Sequence, residues 1–177
     1  MLVSPKIILS LFIVLVIFLF SACSHVVSPG GPIPVKIDVV GPIDTSNEIS
    51  LVNDVTESKL TLIATQGAHK YFADFKLWTD FIVDQLETEL EKRGVQVEPG
   101  VNDIFKISVE NVGIFWGAWA MRCIVNVRIE KSDGTWSKTF EGNNASPATL
   151  YRAVDGAVYR VVEAVIGDRG FKKAISR

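Results

Sequence analysis

Side chains that usually carry chemistry are scarce in this sequence, which holds two histidines, His25 and His69, and two cysteines, Cys23 and Cys123. No His-x-x-x-His, Cys-x-x-Cys or Asp-x-Asp-x-Asp-Gly spacing occurs, so the common zinc and calcium patterns are excluded. There is no Gly-x-Ser-x-Gly elbow and no phosphate-cradling loop after a strand. The glycine-rich Pro29-Gly30-Gly31-Pro32 is no substitute, because its prolines lack the N–H donors that a phosphate nest needs. His25 falls in a proline-rich stretch and His69 in an expected loop before the first helix. No metal, no cofactor and no catalytic residue is expected, and the chain does not read as an enzyme.

An excess of charge of either sign is also missing. The whole chain carries 18 Lys+Arg and 20 Asp+Glu, a net charge of −2. Leaving out residues 1–22 removes only Lys6, which makes the remainder about −3. Nucleic-acid binding needs a cationic surface that displaces counterions, so no nucleic-acid partner is expected. Asp80, Asp84, Glu87 and Glu91 recur at helical spacing, which puts them on one solvated face opposite an apolar one. A catalytic carboxylate pair is the less favoured reading of that stripe.

What the chain does have is a long apolar run near its start. Residues 7–20 contain no charge and one polar side chain, Ser10. Lys6 and the amino group precede the run, and the small residues Ser21 and Ala22 follow it. A positive start, an apolar stretch and small residues at the end are the parts of a secretory signal. Two other readings stay open. Residues 7–23 would form an uncleaved anchor helix at the short limit for crossing a bilayer, or the chain is cut and released without lipid.

Phe20-Ser21-Ala22-Cys23 resembles the lipobox of bacterial lipoproteins, with Phe20 where leucine is usual. The resemblance implies that residues 1–22 are a signal peptide, that the Cys23 sulfur is the nucleophile that takes a diacylglyceryl group, and that a peptidase cuts before Cys23. Small residues ahead of the cysteine let an extended chain enter a narrow protease site. One acyl chain holds a protein only marginally, whereas two or more hold it stably. The partner implied is therefore the membrane, through lipid on Cys23. Ser24, where aspartate would favour the inner membrane in enteric bacteria, implies an outer-membrane anchor facing the periplasm. With Cys23 consumed, Cys123 has no disulfide partner in the chain. It sits in an alternating apolar stretch and reads as a small buried hydrophobe.

Residues 23–34 carry three prolines and two glycines and read as the lipidated cysteine followed by a flexible tether that lifts the domain off the bilayer. Residues 35–177 read as one α+β domain. Strands are expected at 34–40 and 59–64, with a turn-rich loop at 42–57 between them. A helix follows over about 72–93, with Trp78, Phe81, Ile82, Leu86 and Leu90 on one face. It stops at Gly94, with Lys92 and Arg93 in the last turn, where cations suit the helix dipole. Residues 95–97 start another strand. Phe105, Ile107 and Val109, and later Cys123, Val125, Val127 and Ile129, alternate with polar residues, the mark of a half-buried antiparallel sheet. The two runs meet at residues 114–119 and predict a long hairpin. Ser132-Asp133-Gly134 predicts a tight turn into a strand over 135–141. A closing helix is expected from Ser146-Pro147, with Ser146 as N-cap. Leu150, Val154, Val158, Val161, Val162 and Val165 form its buried stripe, and Gly167 or Gly170 ends it. The expected architecture is a two-layer sandwich, a mostly antiparallel sheet with both amphipathic helices on one face.

The Trp78, Leu86, Leu90, Gly94-Val95 helix pattern, the long hairpin, the Asp-Gly turn and the closing helix resemble the small envelope lipoproteins of the YajG type. More loosely they resemble the lipopolysaccharide-assembly lipoprotein of the outer membrane. That resemblance implies a non-enzymatic envelope role and transfers no residue. The functional expectation is a membrane-anchored module that binds or assembles an envelope protein or lipid partner. The alternatives are an envelope hydrolase whose site is assembled from distant residues, and a purely structural lipoprotein. Phe115, Trp116 and Trp119 at the hairpin end are the candidate contact residues. Cross-strand packing over the core is their other reading.

Overall fold

The computed structural model describes residues 23–176, so the signal-like segment 1–22 lies outside the described residues. The chain runs through β1 (Cys23–Val26), β2 (Glu48–Asn53), β3 (Leu60–Gln66), β4 (His69–Asp74), α1 (Phe75–Glu91), β5 (Gln96–Val97), β6 (Ile104–Trp116), β7 (Met121–Lys131), β8 (Ser137–Ser146), α2 (Leu150–Gly167) and α3 (Arg169–Ile175). The fold is α+β. Its strands form a five-stranded sheet ordered β5-β2-β6-β7-β8 and a three-stranded sheet ordered β1-β4-β3.

The expected hairpin is the centre of the large sheet. β6 and β7 pair antiparallel from Phe105↔Lys131 to Trp116↔Met121, with a bulge between Val109 and Asn111. β8 continues the antiparallel ladder on β7. The inward residues Phe105, Ile107, Val109, Cys123, Val125, Val127 and Ile129 are buried, which is the alternation read from the sequence. Helices α1 and α2 touch each other and cover this face, with α1 over β2 and β6 and α2 over β7 and β8. Trp78, Ile82, Leu86 and Leu90 of α1 meet Val154, Val158, Val161 and Val165 of α2 in one core. The helix–sheet approach is closest at Gly142 on β8. A Cβ there would stand 2.0 Å from the carbonyl oxygen of Ala157 on α2, so no larger residue fits without moving the helix.

The pairing is mostly antiparallel, as expected, but both sheets are mixed and not purely antiparallel. β2 lies between β5 and β6 and is parallel to both, and β1 is parallel to β4. Three expectations therefore need correction. β2 falls inside the stretch read as a loop. Its central residues Ile49, Ser50 and Leu51 are all buried, so the strand has no polar face to reveal it. The segment 34–40 is not a strand. Val35 and Val40 are buried while Ile37 and Val39 are exposed, and the carbonyls of Val35 and Val40 accept from the Arg93 guanidinium at 3.1 and 3.0 Å instead of from a neighbouring strand. Arg93, expected in the last turn of the helix, follows the C-cap Lys92. It is buried, and its Nη1 also pairs with Glu89 at 2.7 Å. Burial raises the Glu89 pKa, but hydrogen bonds from Lys92 and Arg93 outweigh it and hold the carboxyl below its ordinary value.

The third correction concerns residues 23–34. They do not form a free tether. β1 occupies four of them, Val27 is buried, and its N–H donates to the Phe72 carbonyl at 2.8 Å. The indole N–H of Trp78 donates to the Val27 carbonyl at 2.9 Å, and the Gly30 N–H donates to Asp155 on α2 at 2.8 Å. Bound to the core at three points, this stretch cannot lift the domain off a surface.

Helix ends differ from expectation by a few residues. α1 begins after β4 rather than at Phe72, with Asp74 as N-cap accepting from the N–H groups of Lys76 and Leu77. The stop at Gly94 is as expected, with φ +89°. α2 is capped by Thr149, which accepts from the Arg152 N–H. Ser146 instead accepts from the N–H groups of Ala148 and Thr149 in the turn before it. The residues after Gly167 form the separate helix α3, capped by Asp168. Phe171 of α3 closes the end of the core against Phe105 and Trp136, with ring centroids 5.5 and 5.7 Å away.

Candidate functional site

The parallel pairing of β1 with β4 brings together residues far apart in sequence. Cys23 aligns with His69, His25 with Tyr71 and Val26 with Phe72. Cys23 is exposed and opens the strand. Two residues on, His25 Nε2 lies 2.9 Å from His69 Nδ1, one ring nitrogen donating to the other. The His25 ring stacks on Tyr71 at 5.0 Å between centroids, and Tyr71 packs against Trp116 at 4.8 Å. A ladder of rings therefore joins the first strand to the hairpin end. Reading the two histidines as tether and loop missed this pair, because only strand register places positions 25 and 69 side by side.

The hairpin end itself is a four-residue turn at 117–120, closed by the Gly117 N–H donating to the Ala120 carbonyl at 2.9 Å. The three candidate aromatics separate here. Trp116 is half-buried against Tyr71 and the core, which is the packing reading. Phe115 is 54% exposed and Trp119 is 91% exposed. No packing reading accounts for an indole that leaves nearly all its surface in water. Phe115, Trp116, Gly117, Ala120, Arg122, Ile124 and Ala145 line an open cavity of about 490 Å³ beside the turn.

Charge is distributed unevenly around this end. Segments 23–37, 60–73, 111–129 and 142–154, which supply β1, β3, β4 up to Ala73, the hairpin end and the adjoining part of β8, contain no aspartate or glutamate. They do contain Lys70 and Arg122, which form no ion pair among the described residues. The acidic residues of a chain of net charge −2 are therefore concentrated elsewhere.

The remaining chemical candidates are quiet. Cys123 is fully buried, and burial pushes its thiol up to about 12, so it is a packed hydrophobe and not a nucleophile. In the acidic stripe of α1, Asp80 pairs with Lys76. Glu87 lies above its ordinary value because of burial and, after that, the neighbouring Asp84 and Glu91. Among the described residues no group of three or more histidine, cysteine or acidic side chains is arranged to hold a metal ion. No helix among them is long and apolar enough to cross a membrane.

No protein-family model matches the chain, and no curated protein matches it. A solved structure described as an uncharacterized protein is similar to it, at 11% identity and a TM-score of 0.34, over 87% of this chain and 97% of that one. At that TM-score the likeness supports no statement about function.

Proposed function

We propose that the chain is an envelope lipoprotein, cut before Cys23 and acylated there, whose domain is a non-enzymatic binding or assembly module on the periplasmic side of the outer membrane. The observation that carries this reading is the junction at Cys23. The apolar run 7–20 and the small pair Ser21-Ala22 end at a cysteine that is exposed and opens the first strand. A sulfur in that place is accessible for modification, unlike the buried Cys123. With residues 23–30 bound to the core, lipid on Cys23 holds the domain against the bilayer instead of on a long leash. A module held in this way has little reach, so its partners are those that lie at the membrane surface.

The test is the mass of the mature chain purified from bacterial membranes, beside a Cys23→Ala variant. The expected result is a chain that begins at Cys23 with the added mass of a diacylglyceryl group, and a variant that stays unprocessed. A chain that begins at Met1 without lipid, or that is cut elsewhere and released, overturns the proposal.

A further inference from the structure

We infer that the turn of the β6–β7 hairpin is a second membrane contact, in which Trp119 and Phe115 enter the interfacial layer of a bilayer and Arg122 meets anionic headgroups. The inference rests on the reading that the chain enters a bilayer at Cys23. Four observations carry it.

First, the chain itself says where the membrane is. The apolar run 7–20 ends just before Cys23, whether it is kept as an anchor or replaced by lipid on that sulfur. Second, a ladder of rings links the strand that opens at Cys23 to the hairpin end. Cys23 is two residues, about 7 Å along an extended strand, from His25. From His25 the rings of Tyr71 and Trp116 follow at 5.0 and 4.8 Å. Trp119 is three residues beyond Trp116, in the turn.

Third, the exposed side chains are of the interfacial type. Tryptophan, with an apolar body and one N–H donor, concentrates at the boundary between headgroups and acyl chains. Trp119 is 91% exposed, and Phe115, exposed as well, lines the open cavity next to the turn. Fourth, the charge fits an anionic surface. Arg122 lines the cavity, Lys70 lies on β4 next to Ser24, and the segments around them lack acidic residues. Cations near such a surface are attracted to it. A second contact also has a physical use: two contacts fix which face of the domain points away from the bilayer.

The experiment places the full chain in vesicles whose lipids carry bromine on the acyl chains near the headgroups, and reads quenching of tryptophan emission. Wild type is compared with Trp119→Phe, which keeps an apolar ring and removes the indole reporter. Quenching that is present in wild type and lost in Trp119→Phe is the expected result. Equal quenching in both chains, or none in either, overturns the inference. So does an emission change that needs added envelope protein and not lipid, because the turn would then be a protein contact. In vesicles with a quarter of anionic phosphatidylglycerol, quenching is expected to deepen, and the increment to vanish in Arg122→Gln. An increment that survives in that variant removes Arg122 from the contact. The readout requires only that the chain is held in the vesicle, which either the apolar run or the lipid achieves. The mass of the mature chain decides between those two separately, so failure at the turn and failure at Cys23 are distinguishable.

Discussion

The two ends of the β6–β7 hairpin use aromatic residues in opposite ways. At the end that leads into β8, Phe105, Phe140 and Phe171 are buried, and Trp136 packs on them with centroids 5.7 to 6.4 Å apart. Helix α3 exists at that end to supply Phe171 and seal the core. At the other end only Trp116 is held, by Tyr71 alone among the rings, while Phe115 and Trp119 face water. The chain can seal an end of its core with a short helix and does so once. The open end therefore differs by residue placement and not by any lack of apolar material. An aromatic left out of a core that is otherwise closed is what the proposed membrane contact requires.

This contrast can be broken or sharpened by substitution. The largest effect is expected for Phe171→Ala. Removing a fully buried aromatic should cost about 3–5 kcal/mol, read as a lower urea midpoint. A loss near zero would mean that the sealed end is not sealed. Trp116→Ala should cost less, about 1–2 kcal/mol, because its ring is half-buried and mainly loses Tyr71. Hydrogen exchange of the same variant should also show faster exchange of the β1 amides.

Acid should act on the sealed end next. Asp168 caps α3 through the Phe171 N–H at 2.9 Å and pairs with Lys138. Burial raises its pKa, but these bonds outweigh burial and set it below the ordinary aspartate value of 3.8. A carboxyl lowered in the folded state contributes stability above its unfolded pKa and loses it as pH falls through the folded value. Stability should therefore decline below about pH 4, and Asp168→Asn should flatten part of that decline at a cost of about 1 kcal/mol at neutral pH. A decline unchanged in that variant would assign it to other lowered carboxyls such as Glu89. Trp119→Ala should have the smallest effect on stability, within about 0.5 kcal/mol. A larger loss would show that the exposed indole is part of the fold after all.

The parts of the fold legible in the sequence are those whose pattern is local. β6 and β7 alternate because one face is core and the other is solvent. The stripes of α1 and α2 recur because each helix buries one side. The parts that were hidden depend on distant partners. β2 is buried around Ile49-Ser50-Leu51 and flanked by polar turns, so it looks like a loop. β4 passes into α1 with no turn, so Phe72 to Asp74 read as the start of the helix and His69 as a loop before it. β1 is short and polar, and its pairing needs His69 to Phe72, more than forty residues away. The candidate aromatics were visible as a cluster. That Trp116 is packed and Trp119 is not follows only from where the turn falls. The histidine pair and the gathering of acid-free segments around β1 and the hairpin required the sheet register to be seen at all.

The fastening of residues 23–30 also sets an order of events. In a chain threaded through a membrane amino terminus first, Cys23 emerges well before His69, and Gly30 well before Asp155, its partner 125 positions later. Until those partners arrive, β1 has nothing to pair with and the stretch around Cys23 stays extended. An enzyme that must thread this stretch through a narrow cleft has that interval in which to act. Once β1 zips onto β4, the Cys23 side chain stays exposed but the backbone on its C-terminal side is held in a sheet, and an enzyme that needs an extended chain must first peel it away.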